Sequence, residues 1–300
     1  MGRGGTVDLT GFARSIRRIS DGAGRFALLA IDQRPPLFRL VKERRPDLPE
    51  LEVWKEVGRL KRLVVEALGP SATGILLDPV YGHPALNLVP RQAGLLLTLE
   101  DHRYFEVGPG FRVNRIISGW SVSNAVRAGA DAVKLLIWYR ADAPDEVREH
   151  QRSLVRDAAK SAKALGRPLV LEVLVYSLPG EGEPLPSLVE ESVEELADVE
   201  LGVGLYKLPP LPGRMAHYTA MLPAPWVVLS GGLGIQAFLD VLEEALEAGA
   251  RGFLAGRAFW LQALEAYPDL AAVRLGLLEA RRAFRKALGL VLQLSPLREE

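Results

Sequence analysis

Eight short apolar runs recur along the chain, most of them rich in Val, Ile and Leu and without strict polar alternation, the pattern of strands buried on both faces of a parallel sheet. They are FALLAIDQR (26–34), GILLDPVYG (74–82), AGLLLTLE (93–100), AVKLLIWY (132–139), PLVLEVLVYS (168–177), LGVGLYKL (201–208), WVVLSGG (226–232) and GFLAGRAFW (252–260). Segments 51–68, 146–165, 186–196, 235–247 and 270–288 instead carry apolar residues three and four apart with charge between them, which predicts helices. Several of these stop at a glycine placed to take a left-handed conformation, as at Gly129, Gly166 and Gly249.

Eight βα units with no break in composition predict an α/β protein, a closed (β/α)8 TIM barrel forming a single domain over 1–300. An open doubly wound sheet has the same periodicity, but the GxGxxG that a dinucleotide fold places after its first strand is missing. An extra helix at about 8–20, within an N-terminal extension of about 1–24, is expected to close the barrel bottom, and a C-terminal helix and tail occupy about 262–300. The polar stretch 101–118 reads as a mobile loop over the strand ends where barrel enzymes hold their sites.

Composition narrows the chemistry. Lys plus Arg and Asp plus Glu both total 37, so no net field recruits nucleic acid or an anionic membrane, and the expected partner is a small molecule. With no cysteine and four scattered histidines (His83, His102, His150, His217), neither a thiolate nor a zinc site is expected, nor any other metal or cofactor. No apolar run reaches the ~20 residues of a membrane span and the N-terminus lacks a signal-peptide core, so the expected location is cytoplasmic. A homo-oligomer is left open.

Charges inside the apolar runs are the informative exceptions, since burying them is costly unless they pair with one another. Asp32, Gln33 and Arg34 end the first run, Asp78 lies in the second, Lys134 in the fourth, Glu172 in the fifth and Lys207 in the sixth. Strand ends collect the reacting groups of a parallel barrel. Lys207 there is a candidate nucleophilic amine, its pKa expected to be depressed by burial and by a cation such as Lys134; the alternative is a solvated lysine just past a short strand. Glu172 suits proton transfer, with burial expected to raise its pKa, or else it neutralises Lys134 or Arg34. Asp32 as a catalytic group, and Gln33, Arg34 and Asp78 as substrate contacts, complete the candidate cluster, although the two aspartates fit caps or ion partners equally well. Ser230-Gly231-Gly232 ahead of a helix, and Gly256-Arg257 in the next unit, form the seventh- and eighth-strand pair that often binds phosphate in barrels, or else two tight turns.

In order along about 25–260, the segments AIDQR (30–34), LLDPVYG (76–82), GADAVKLLIWY (129–139), LEVLVYS (171–177), LYKLPP (205–210), VVLSGGLG (227–234) and FLAGRAFW (253–260) resemble the class I tagatose-1,6-bisphosphate aldolases and their sulfofructosephosphate aldolase relatives. The resemblance implies that Lys207 is the Schiff-base lysine and Glu172 the acid/base. It implies polar contacts to a ketose from Asp32, Gln33 and Lys134, and phosphate contacts from Ser230, Gly231 and Arg257. The chain departs from the family pattern at Val80, where a glutamate is usual, at Leu208-Pro209, where Val-Glu is usual, and in a shorter connection after Lys207. The expected activity is metal-independent cleavage of a ketose phosphate or bisphosphate to dihydroxyacetone phosphate and an aldehyde. Alternatives are a sugar-phosphate or sulfosugar-phosphate lyase or synthase using the same lysine, a phosphosugar isomerase or epimerase with no need of Lys207, and a noncatalytic barrel that senses a metabolite.

Overall fold

The structure is a computed structural model and describes residues 9–296. Eight parallel strands close on themselves: β1 (Phe26–Ala30), β2 (Gly74–Leu77), β3 (Gly94–Thr98), β4 (Ala132–Trp138), β5 (Leu169–Leu174), β6 (Leu205–Leu208), β7 (Trp226–Val228) and β8 (Gly252–Ala255). Each begins within or at the edge of its apolar run and is shorter than the run. The residues that follow leave the ladder at the C-terminal rim, which is where the charged ends of the runs sit.

Helices flank the strands: α1 (Leu9–Ile19), α2 (Pro35–Arg44), α3 (Glu50–Leu68), α4 (Val122–Arg127), α5 (Asp145–Ala164), α6 (Pro186–Glu194), α7 (Ala216–Met221), α8 (Ile235–Glu247), α9 (Arg257–Leu264) and α10 (Leu270–Leu294). The β2–β3 connection has only a 3-10 turn, His83–Leu88, instead of an α-helix. In the run 252–260, only Gly252–Ala255 is strand. Gly256 breaks the ladder and caps α9, and an added Cβ there would lie 1.9 Å from the Ala30 carbonyl oxygen, so only glycine lets β1 pass this closely. Trp260 of α9 then donates its indole N–H to that same carbonyl at 2.9 Å.

The barrel interior follows from period two along each strand. Phe26, Leu28 and Ala30 of β1, Leu76, Leu96, Ala132, Val170, Leu205, Val227 and Leu254 form one buried cluster, joined from below by Ile19 of α1. The extra helix therefore plugs the bottom as its sequence suggests, although Asp8, at the start of the expected segment, lies outside the described residues. Counting two residues onward from that apolar layer gives Asp32, Asp78, Thr98, Lys134, Glu172 and Lys207, all buried. The lower barrel is packed with hydrocarbon and the upper barrel with charge.

The stretch 101–118 is an arm with regular structure. Phe105–Val107 and Phe111–Val113 pair as an antiparallel hairpin, and Glu100 bridges to Ile116. Asn114 ties the arm to β4: its side-chain amide donates to the Leu136 carbonyl at 3.1 Å, and its Oδ1 accepts from the Trp138 N–H at 2.8 Å. Gln151 of α5 donates both to that Oδ1, at 2.8 Å, and to the Trp138 carbonyl, at 2.7 Å.

Candidate active site

At the C-terminal rim a cleft of about 290 Å³ is floored by Asp32, Glu100, Lys134, Glu172 and Lys207 and walled by Leu136, Trp138 and Leu174, with Gln33, Arg34, His102 and Arg257 also facing it. The strand registers set the floor. Glu172 lies opposite Lys207 across β5 and β6, and Leu136 opposite Glu172 across β4 and β5, so Lys134 sits one inward step below Glu172.

Lys134 is the hub. Its ammonium lies 3.0 Å from Asp32 Oδ2, 2.7 Å from Glu100 Oε1 and 2.7 Å from Glu172 Oε2. The first two are hydrogen bonds; the third is a charge contact outside hydrogen-bond alignment, which leaves Glu172 Oε2 without a hydrogen-bond partner among the described residues. The other oxygen of Glu172 is 2.8 Å from Lys207 Nζ. Glu172 thus bridges two lysines. Glu100 is held in turn by the Leu136 N–H at 3.1 Å, and its carbonyl accepts from Arg34 Nη2 at 2.6 Å.

Burial alone would pull Lys134 down, but Asp32, Glu100 and Glu172 more than reverse this and hold it well above the usual lysine value. Burial pushes Asp32 up, yet Lys134 and then Lys207 outweigh it and hold the carboxyl well below the usual carboxylate range. The same balance of burial against Lys134 and Lys207 leaves Glu172 lowered. Sequence reasoning expects a raised Glu172; the sign is reversed because two ammonium groups, not one, flank the carboxylate.

Among the other sequence candidates, Gln33 and Arg34 face the cleft, and Gln33 Oε1 and Asp32 Oδ1 are buried acceptors with no partner among the described residues. Asp78 is fully enclosed and does not line the cleft. Its oxygens are taken by Lys61 and by the N–H groups of Val80 (2.9 Å) and Tyr81 (2.7 Å). Ser230, Gly231, Gly232 and Gly256 also stay outside the lining, whereas the exposed Arg257, first residue of α9, faces it. Gly231 (φ 57°) and Gly232 (φ 91°) make the left-handed turn that brings the chain from β7 to α8.

Two residues escape the sequence reading. Glu100 is the last residue of the third run, and the two-residue count from Leu96 through Thr98 points to it. Lys61 is fully buried on α3, paired with Asp78 and donating to the Ile31 carbonyl at 2.7 Å. Burial lowers its pKa more than Asp78 restores it. The signal was its place in the apolar stripe Val57, Lys61, Val64, Val65, Leu68, all buried.

A model of the DeoC/LacD family aldolases matches residues 26–262. A tagatose 1,6-diphosphate aldolase of Staphylococcus aureus strain JH9 is 30% identical over 284 residues, covering 84% of this chain and 86% of the relative. Tagatose 1,6-diphosphate aldolase 1 of Streptococcus mutans is 29% identical over 283 residues with the same coverage. An archaeal fructose-1,6-bisphosphate aldolase, solved with its catalytic lysine bound to the carbinolamine intermediate, shares the fold with a TM-score of 0.61 at 21% identity, over 93% of this chain and 99% of that one. Matched across nearly the whole barrel, the chain belongs to the DeoC/LacD aldolase family.

Proposed function

We propose that the protein is a class I aldolase that cleaves a ketose phosphate or bisphosphate of the tagatose-1,6-bisphosphate type to dihydroxyacetone phosphate and an aldehyde through a Schiff base on Lys207. The observation that carries this is a buried amine at the end of β6, facing a cleft, with a carboxylate oxygen 2.8 Å away. Lys207 attacks C2 as the neutral amine, and Glu172 is the nearest acceptor for its proton. The carbinolamine loses water to give an iminium. A base takes the C4 hydroxyl proton, the C3–C4 bond breaks, its electron pair moves to the iminium as an enamine, and the aldehyde departs. Protonation at C3 and hydrolysis release dihydroxyacetone phosphate and restore the lysine.

A lowered Glu172 pKa keeps it in the ionised form that a proton acceptor needs, though as a weaker base, and Lys134 holds that charge within the low-dielectric floor. The orphaned acceptors Asp32 Oδ1 and Gln33 Oε1 suit sugar hydroxyls, which are donors without charge. Arg257 and the turn Ser230-Gly231-Gly232 serve the phosphate next to C1, where the cation and backbone N–H groups of adjacent units would meet it.

Borohydride reduction in the presence of dihydroxyacetone phosphate tests the reading. The expected result is one covalent adduct, located on Lys207 by peptide mass spectrometry and absent in Lys207→Met. Cleavage activity with Lys207 unmodified would overturn it.

A further inference from the structure

We propose that Arg112, on the hairpin arm, is the subsite for a second tetrahedral oxyanion, a phosphate or sulfonate at the end of the sugar remote from the phosphate next to C1. The proposal rests on the aldolase reading above for the identity of the substrate, and on the arm's own geometry for the site.

The guanidinium of Arg112 sits in a cage of three rings, its Cζ 4.6 Å from the Tyr104 centroid, 4.5 Å from Trp138 and 4.5 Å from Tyr176. The rings brace one another edge to face, Trp138 at 6.0 Å from each of the other two. With Trp138 at 72° and 88° to the two tyrosines, the planar guanidinium cannot stack on all three rings and turns an edge to at least one; its N–H donors not covered by a ring form the fork that suits phosphate or carboxylate oxygens. Those donors are unspent: among the described residues the Arg112 side chain makes no hydrogen bond and no ion pair. Two neighbouring arginines are paired, Arg115 of the arm with Asp101 at 3.0 Å and Arg140 with Asp142 and Glu181 at 2.8 and 2.6 Å. A cation fixed against Trp138, a wall of the cleft, with no counter-ion of its own is placed to take one from the ligand.

One wall of the cage is also a wall of the cleft. Lys134, Leu136 and Trp138 step outward along one face of β4, and Trp138 stands four residues beyond Lys134, a rise of ~13 Å. A sugar joined to Lys207 at the floor and extending along the apolar steps Leu136 and Leu174 would bring its far end to the Trp138 level. The arm is built to hold this position. The Arg112 N–H donates to the Tyr176 hydroxyl at 2.7 Å, and Asn114, two residues on, is locked to β4 on both sides of Ile137.

The test uses two readouts on the full-length protein and its Arg112→Gln and Arg112→Lys variants. In cleavage assays, the ratio of kcat/KM for a ketohexose 1,6-bisphosphate to that for the matching 1-phosphate should fall about tenfold or more in Arg112→Gln, mainly through KM. It should fall less in Arg112→Lys, which keeps the charge but loses the planar fork. Titration with inorganic phosphate, followed by hydrogen exchange of the arm, should show saturable protection that Arg112→Gln removes and Arg257→Ala retains. An unchanged substrate ratio together with unchanged phosphate protection of the arm overturns the proposal, and a fall in melting temperature alone then marks Arg112 as a structural pin. Failure of dihydroxyacetone phosphate trapping with loss of arm protection in Arg112→Gln would sink the aldolase reading and leave the anion site standing.

Discussion

Glu172 and Lys207 stand directly opposite one another in the β5–β6 ladder, and their side chains meet inside the barrel with Oε1 2.8 Å from Nζ. Neighbouring strands thus deliver the acceptor and the amine as a pair, with no loop between them to lose the alignment. The partner oxygen of the same carboxylate contacts Lys134, so one carboxylate joins the two lysines.

Glu172→Gln should keep the barrel, since an amide of the same shape can still touch both lysines, but it cannot accept their protons. Turnover is expected to fall ~10²–10⁴-fold, the usual contribution of a general acid–base group. Single-turnover cleavage and the melting temperature, measured on one preparation, check this. Full activity in the folded fraction would reduce Glu172 to a counter-ion.

Stability should fall in acid. Asp32 and Glu172 have folded pKa values below their unfolded ones, so their contribution is present above ~4, the ordinary carboxylate range, and is lost as pH falls through the lower folded values. Lys134 is raised, so its contribution is complete below ~10.4 and is lost only as pH rises past that value. Denaturant titrations across this range should show a neutral plateau. A double variant Asp32→Asn with Glu172→Gln should show a shallower acid limb; an unaltered limb would mean that other carboxylates dominate.

Removing Lys61 leaves Asp78 charged and enclosed, so Lys61→Met should cost about 3–5 kcal/mol. Adding Asp78→Asn, which keeps an oxygen for the Val80 and Tyr81 N–H groups, should recover part of that loss. Because Lys61 also holds the Ile31 carbonyl beside Asp32, the double variant should still show a raised KM. Denaturation midpoints and steady-state kinetics decide; equal losses in the single and double variants would deny the pair any electrostatic role.

Chelators should leave activity unchanged. Three carboxylates converge in the floor, but the Lys134 ammonium occupies their centre at 2.7–3.0 Å, the place a divalent cation would need. Loss of cleavage in EDTA with recovery on adding zinc would reverse this.

The strands and the site were legible to different depths. Period-two counting from the apolar layer reaches Lys134, Glu172 and Lys207 because strand geometry is rigid, and the same count would have reached Glu100. Lys61 falls among the charges spaced between the apolar residues of segment 51–68, and only its spacing from Val57 and Val65 marks it as inward. The hairpin arm has three-residue strands, one of them wholly exposed, so no periodic signal could build up and the segment read as a loop. Short helices such as α4 and α7, six residues each, fail for the same reason. In the run 252–260, apolarity continued across a glycine while the element changed from strand to helix.

The alternation that points hydrocarbon and charge into one barrel also governs which changes of length the gene can survive. Deleting Leu171 would put Val170 and Glu172 on opposite faces of the strand and turn one of them out of the barrel, so no residue can be gained or lost between the apolar layer and the charged floor. The arm between β3 and α4 is tied at Arg112, Asn114, Arg115 and the Glu100–Ile116 bridge, and its tip, Gly108 to Gly110, lies outside those ties and outside the barrel ladder. On the role proposed for Arg112, recognition of the far end of the substrate would change through the arm while the charged floor of the barrel stays as it is.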